Sequence, residues 1–484
     1  MFARPTWKTK ELRLALGAAV AATTCLAGPW PEVIDLDVGE FCEVPTRKGP
    51  VRVMLLGVSE KTEPDYFIPA NPRRTTIVGA EAELAVGDQR ARVIGRPYQF
   101  PVVINGVRIY LESTRFWAQA AVAPLADLKK AVRVSVLDAA EPWGPQDLVF
   151  PIENYRWRSA SYNNTWGSLV PGNLLYYHRG EDLGAIPDRL PVVAIFGGTV
   201  VRTPLTHGKP VGSNHVAIES EDRVVALYSH INYEHLAPEL VPGATIKAGQ
   251  VIGRTGSTWN GGRNQRSDPH LHVGLHRPLG ELPDALFPAR SSGYPMLVDA
   301  YFRKYPDAVL AIAGGCRFAV PGDLIELDAT RSVVRPGEEI ASCEWRLHDG
   351  TRVAAPHARI RCEAPGLYSE ELIVRTKSGA EDRDFLQLRV YEPNRPVGDI
   401  AFGWLYHSPV RGIRPGTSVL FWNRLRPRTD APVWIDFGDG SRPKQIEAEC
   451  EHAYVQSGLY TVRLSTTGPR AEPVAIQMRV VVER

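Results

Sequence analysis

Three short strings in the middle third of the chain read together as one site, and they constrain the fold more than any other feature. They are HRGED at 178–182, YSHI at 228–231 and DPHLH at 268–272. They supply His178 and Asp182, then His230, then His270 and His272. Imidazole nitrogen and carboxylate oxygen suit a borderline-soft ion such as zinc, whose catalytic sites use three protein ligands plus an open position. A backbone that brings these strings together holds enough of the right groups for metal-assisted hydrolysis.

Spacing sharpens the expectation. Side chains at i and i+2 of a strand share a face, so His270 and His272 look into one groove and Leu271 turns away. The run VVALYSHI is rich in strand formers, which predicts His230 on a strand as well. Gly180, between the first two ligands, suits a bend that lets both reach one metal.

At these residues the chain resembles the lysostaphin/LytM-type zinc endopeptidases, a family of murein hydrolases. That family carries His-x-x-x-Asp near the start of its domain, a lone His, and His-x-His near its end; all three stand intact here. GEDLGAIPDRLPVVAIFGGTVV resembles the family's ligand loop, first strand and glycine turn. GSNHVAIES resembles its next strand, and VPGATIKAGQVIGRTGSTW its hairpin and Gly-Ser turn. The resemblance covers residues 165–304. Carried over residue by residue, it implies one zinc held by His178, Asp182 and His272, with His230 and His270 catalytic and unligated. No HExxH helix offers a glutamate base, so the general base is expected to be a histidine, His270 with His230 assisting.

Other groups nearby have plainer readings. His276 continues the period-two series as a strand-end residue, and His215 opens a strand in a structural role. Tyr176 and Tyr177 either contact substrate or pack beneath the metal. His207 and His235 are expected at the surface.

The first residues read as an export signal. Arg4, Lys8, Lys10 and Arg13 precede the apolar run LALGAAVAATTCLAG. That run is too short and alanine-rich for a membrane span of about 20 residues. Cleavage is expected after Ala27; lipid attachment at Cys25 is the alternative. Cys42, Cys316, Cys343, Cys362 and Cys450 remain, with no CxxC spacing. Cys343 and Cys362 fall in one expected domain and could pair in an oxidising compartment.

At 484 residues the chain has room for about three to five domains. With Gly 42, Pro 40 and few long helical patterns, the expected fold class is mostly β and multidomain. The resemblance makes its centre an antiparallel β-sheet zinc-peptidase core, with flanking β-sandwich domains. Residues 1–27 are the signal and 30–150 a β domain of unknown role. In the latter, PVVINGVRIYLE is a hairpin with Asn105-Gly106 in a type I′ turn. The catalytic domain spans 165–304 and closes on a short helical segment, VDAYFRKYP at 298–306, before AIAGG as a linker. Residues 318–393 and 396–484 form a degenerate repeat. WIDFGDGS with HAYVQSGLYTVRLS, and EWRLHDGT with CEAPGLYSEELIV, resemble the PKD domain, an Ig-like β-sandwich. Arg346 and His348 depart from the usual pattern in the first copy. Asp436 and Asp439 are explained by turn formation ahead of calcium.

The resemblance implies an exported zinc metalloendopeptidase of the periplasm or cell exterior that cuts peptide cross-links of peptidoglycan. Two other readings stay open: the same chemistry on an extracellular protein captured by PKD domains, or a structural or adhesive protein whose zinc domain is idle. Expected partners are peptidoglycan peptides or a protein substrate, with a glycan or protein ligand for the C-terminal domains. With a net charge of +2 and scattered basic residues, no nucleic acid is expected, nor any stable membrane span.

Overall fold

The computed structural model describes residues 23–24, 30–64, 75–119, 128–171, 175–206, 209–210, 215–258, 265–277, 289–392, 401–426, 430–468 and 471–484. Apart from Thr23–Thr24, which pair in parallel with Cys42–Glu43, the expected export signal falls outside them, as do Cys25 and His207. The fold is mostly β and built from several sheets. No helix among the described residues is long and apolar enough to cross a membrane.

Two sheets make the N-terminal part and share a core that includes Leu55, Leu84, Ile109 and Val134. The hairpin Val102–Ile104 and Val107–Thr114 turns through Asn105 at φ 46° and Gly106 at φ 78°. Positive φ at both central residues is what a type I′ turn demands. This core does not stop at residue 150. Tyr177, next to the first histidine, is fully buried in it, and the Ile77 N–H donates to Tyr177 Oη at 2.7 Å.

The central sheet is antiparallel. Its order runs Asn163–Asn164, Glu181–Gly184, Gln265–Arg277, Val225–Ser229, His215–Glu219, Gly198–Arg202 and Thr245–Ile246. The long strand Gln265–Arg277 is the pivot. Its odd members Leu271, Val273 and Leu275 are buried in the core beneath, so His270 and His272 are thrown together onto the opposite face. The helix Tyr294–Lys304 packs into the same core through Tyr294, Leu297 and Tyr301, beginning four residues earlier than the sequence suggests. Gly293 before it and Pro295 in its first turn explain the early start. Phe150 and Trp157 from the preceding segment pack on Tyr301, and Tyr155 stacks on Phe150, so that stretch is part of the core.

The C-terminal part has two further cores. They are joined where Gly366–Thr376 pairs in parallel with Pro473–Val482 at Leu367 and Val474. AIAGG is no free linker. Ala311 and Ala313 are fully buried, and their N–H groups are taken up by the carboxylates of Asp382, at 2.8 Å, and Asp384, at 2.6 Å. Cys343 and Cys362 are unpaired: Cys343 lies on a strand of the large sheet, and Cys362 follows a strand of the facing two-stranded sheet. In the second copy Asp436 and Asp439 each cap their own turn, accepting from Gly438 N at 2.8 Å and Ser441 N at 3.0 Å. In the first, His348 turns instead to Glu370, its N–H donating at 2.9 Å.

Candidate metal centre

Neighbouring strands assemble the site. Glu181–Gly184 pairs with the long strand so that Asp182 lies opposite His272, and Ser229 flanks His272 on the other side. His178 arrives from the bend before Glu181. Gly180 makes this approach feasible through space rather than through φ. A Cβ there would stand 2.5 Å from Val273 O and 2.9 Å from His272 Nε2.

The three atoms expected to bind metal converge. His178 Nε2 is 2.8 Å from Asp182 Oδ1, His272 Nδ1 is 2.9 Å from the same oxygen, and the two nitrogens are 2.9 Å apart. Among the described residues these three form the His/Cys/Asp/Glu group suited to a metal ion. Their chemistry fits zinc: three lone-pair atoms face one another with too few protons to bridge all three contacts. Tetrahedral ligands at bonds of about 2.0–2.1 Å stand about 3.3 Å apart, so the triangle needs to open by only about half an ångström. Asn164 Nδ2 donates to Asp182 Oδ2 at 2.8 Å, which leaves Oδ1 turned to the histidines. Burial alone would raise the Asp182 carboxyl, but the imidazoles of His178 and His270 outweigh it and hold it well below the usual carboxylate range.

His230 and His270 stand beside this triangle with ring centroids 4.3 Å apart. Both are held by backbone carbonyls. His230 Nδ1 is 2.8 Å from Thr258 O, and His270 Nδ1 bonds to Asp268 O. A carbonyl only accepts, so Nδ1 carries the proton and Nε2 keeps its lone pair in each neutral ring. His270 Nε2 points to the metal triangle, 3.3 Å from Asp182 Oδ1. Burial works against the charged form of His270, yet the Asp182 carboxylate prevails and raises its pKa. Burial and the neighbouring imidazoles push His230 well down. The two rings therefore differ in proton affinity.

His230 is not on the strand but one residue beyond Val225–Ser229, at φ 71°. A histidine in this left-handed region is uncommon, and such backbone strain concentrates at functional sites. Gly256 accommodates it, since a Cβ there would come within 2.1 Å of His230 O.

The remaining residues sort themselves by contact. His215 Nδ1 lies 2.6 Å from Ser229 Oγ, and burial lowers its pKa to about 4. His276 is buried on the ligand face, and burial lowers it to about 3. His235 pairs with Asp188 at 3.2 Å. Asn164, Asp268 and Tyr162, whose ring lies 4.8 Å from that of His270, escaped the sequence reading. Asp268 stands inside the quoted string DPHLH, but its part is played by a backbone carbonyl that no side-chain pattern marks.

Residues 176–282 match peptidase family M23. The chain carries an M23 peptidase domain. The match begins two residues before His178 and encloses Asp182, His230, His270 and His272. Among curated proteins, none matches the chain. Among solved structures, a candidate glycyl-glycine endopeptidase, lytM, from Ruminococcus gnavus is 23% identical, with a TM-score of 0.24. The likeness takes in 32% of this chain and 61% of that one, so the chain spans about three fifths of that structure's length. Fibronectin(III)-like modules of Clostridium thermocellum CbhA are similar over 36% of this chain and 94% of theirs, at 14% identity and a TM-score of 0.14. At such TM-scores neither likeness bears on how the M23 domain is read.

Proposed function

We propose that the chain is an exported zinc metalloendopeptidase that hydrolyses peptide cross-links of peptidoglycan, with its M23 domain at 165–304. In this reading residues 30–150 brace the catalytic domain, and 318–393 and 396–484 are PKD-like sandwiches. The observation that carries it is the convergence of His178 Nε2, Asp182 Oδ1 and His272 Nδ1 beside two histidines whose Nδ1 atoms are tied to carbonyls.

Zinc held by His178, Asp182 and His272 supplies Lewis acidity toward water and a peptide carbonyl. The chain's own residues manage the proton. Hydrolysis joins water oxygen to the carbonyl carbon, breaks the C–N bond and moves one proton to the departing amine. His270 takes that proton at Nε2, which stands beside the metal triangle 3.3 Å from Asp182 Oδ1, and returns it to the amine. The Asp268 carbonyl keeps the ring in place throughout. His230, in the same tautomer and more weakly basic, accepts a hydrogen bond from the water and orients it.

The test is release of soluble peptides from purified peptidoglycan by the zinc-loaded protein. Intact murein after treatment with zinc-loaded protein contradicts the substrate; cleavage of casein or elastin instead would move the same chemistry to protein substrates.

A further inference from the structure

The second C-terminal sandwich does not hang free of the catalytic domain. Its strands Leu405–Ser408 and Ser418–Asn423 turn Leu405, Val419 and Phe421 into their own core, and Tyr406, Leu420 and Trp422 outward. That outer face is seated on Ala160, Tyr162 and Ile186 of the catalytic part. The Ser161 N–H donates to Leu405 O at 3.0 Å and the Leu405 N–H to Ser161 Oγ at 2.7 Å. Tyr162 is the bridge: its ring lies 4.9 Å from Trp404 on one side and 4.8 Å from His270 on the other.

At this junction four buried donor atoms have no hydrogen-bond partner among the described residues: Tyr406 Oη, Trp404 Nε1, and Nε and Nη2 of Arg424. Tyr406 is fully buried and Trp404 nearly so. The Tyr406 phenol lies within electrostatic reach of Asp182, Asp268 and Arg424. Folded proteins leave few buried donors unpaired, and a group of them beside a catalytic centre marks where a ligand's acceptors go. Nε and Nη2 are the side edge of a guanidinium, the edge that grips both oxygens of a carboxylate. Asp268 does not fill that place. Its Oδ1 stands 3.7 Å from Arg426 Nη2 and makes no hydrogen bond. Arg424 and Arg426 both face Asp268 here, and the side edge of Arg424 is left without an acceptor among the described residues.

Resting on the M23 peptidase reading above, we propose that Arg424 and Tyr406 of the C-terminal sandwich form a carboxylate-binding subsite beside His270. The peptide substrate then carries a carboxylate near the cleaved bond, either its C-terminus or an acidic side chain. The sandwich is a wall of the substrate groove and reads what is cut.

The experiment uses full-length protein and four probes: acetyl-pentaglycine with a free carboxylate, its carboxamide, and the carboxamide with one glycine replaced by Glu or by Gln. Binding is followed by calorimetry and cleavage in parallel. Wild type should bind one carboxylate form roughly tenfold or more tightly than its neutral partner. The free-acid arm and the Glu arm tell the two sources apart. Arg424→Met should abolish the preference, and Arg424→Lys should restore part of it. Equal binding of charged and neutral probes by wild type, or a preference that survives Arg424→Met, overturns the subsite. A fall of several degrees in the melting temperature of Arg424→Met would make Arg424 a structural residue and overturn it too. Preference without cleavage of any probe supports the subsite while counting against the hydrolase; cleavage indifferent to charge does the reverse.

Discussion

Arg277, the last residue of the strand that carries His270 and His272, donates Nη2 to Oε1 of Glu112 at 2.9 Å, and both side chains are almost wholly buried. Glu112 belongs to the N-terminal part, far away in sequence. Its second oxygen accepts from Ser292 N at 2.8 Å, and Arg277 also reaches Pro31 O and Ser291 Oγ. The N-terminal part is therefore fastened to the strand that holds the site. Removing one partner of such a pair leaves a buried charge, at a cost of about 3–5 kcal/mol. Glu112→Ala should lower the unfolding free energy by that amount in urea titration. Loss of less than about 1 kcal/mol would mean that the pair is not sequestered as described.

Gly180→Ala tests the close approach at the site. The added methyl meets Val273 O and the His272 ring, and neither can yield without moving His272, a ligand in the proposed centre. The variant should stay folded by circular dichroism yet bind zinc at least about tenfold more weakly. Unchanged zinc affinity would show that the strand has room.

Asn164→Ala removes the donor that holds Asp182 Oδ2. Partners that orient a metal ligand are worth about 10–100-fold in affinity. Competition with a chelator should show a loss in that range, while Asn164→Asp, which adds a like charge beside Asp182, should do worse than Asn164→Ala.

The effect of pH can be read away from the metal, at Asp382. Burial raises its pKa to about 6, with Arg479 at 2.8 Å offsetting part of the rise. An unfolded aspartate titrates near 3.9, so the native chain holds this proton more tightly. The associated stability is full below about pH 4 and is lost as pH rises through 6. Asp382→Asn should flatten the dependence of melting temperature on pH between 4 and 6. A slope identical to wild type would contradict the assignment.

The site was legible where local periodicity carries it. His270-Leu271-His272 needs only the alternation of a strand, and the turn at Asn105-Gly106 only its own φ preferences. VVALYS ends in strand formers and so predicts His230 on the strand, yet the chain turns to a φ of 71° there, with Gly256 of another strand leaving room for the His230 carbonyl. The same holds for Asn164 on Asp182, Glu112 on Arg277 and Trp404 on Tyr162. Each joins residues distant in sequence, and no local pattern announces such a pair. AIAGG reads as a linker from its alanines and glycines, yet Ala311 and Ala313 are packed against one core and Ile312 against another.

The most direct measurement pairs zinc content with peptide release from murein for wild type and His272→Ala. The account predicts about one zinc per chain and soluble peptides for wild type, since three ligands with an open position make one catalytic site, and neither for the variant. Wild type that holds no zinc after exposure to it, or His272→Ala that still binds zinc and digests murein, would contradict the claim that His178, Asp182 and His272 form the catalytic metal centre.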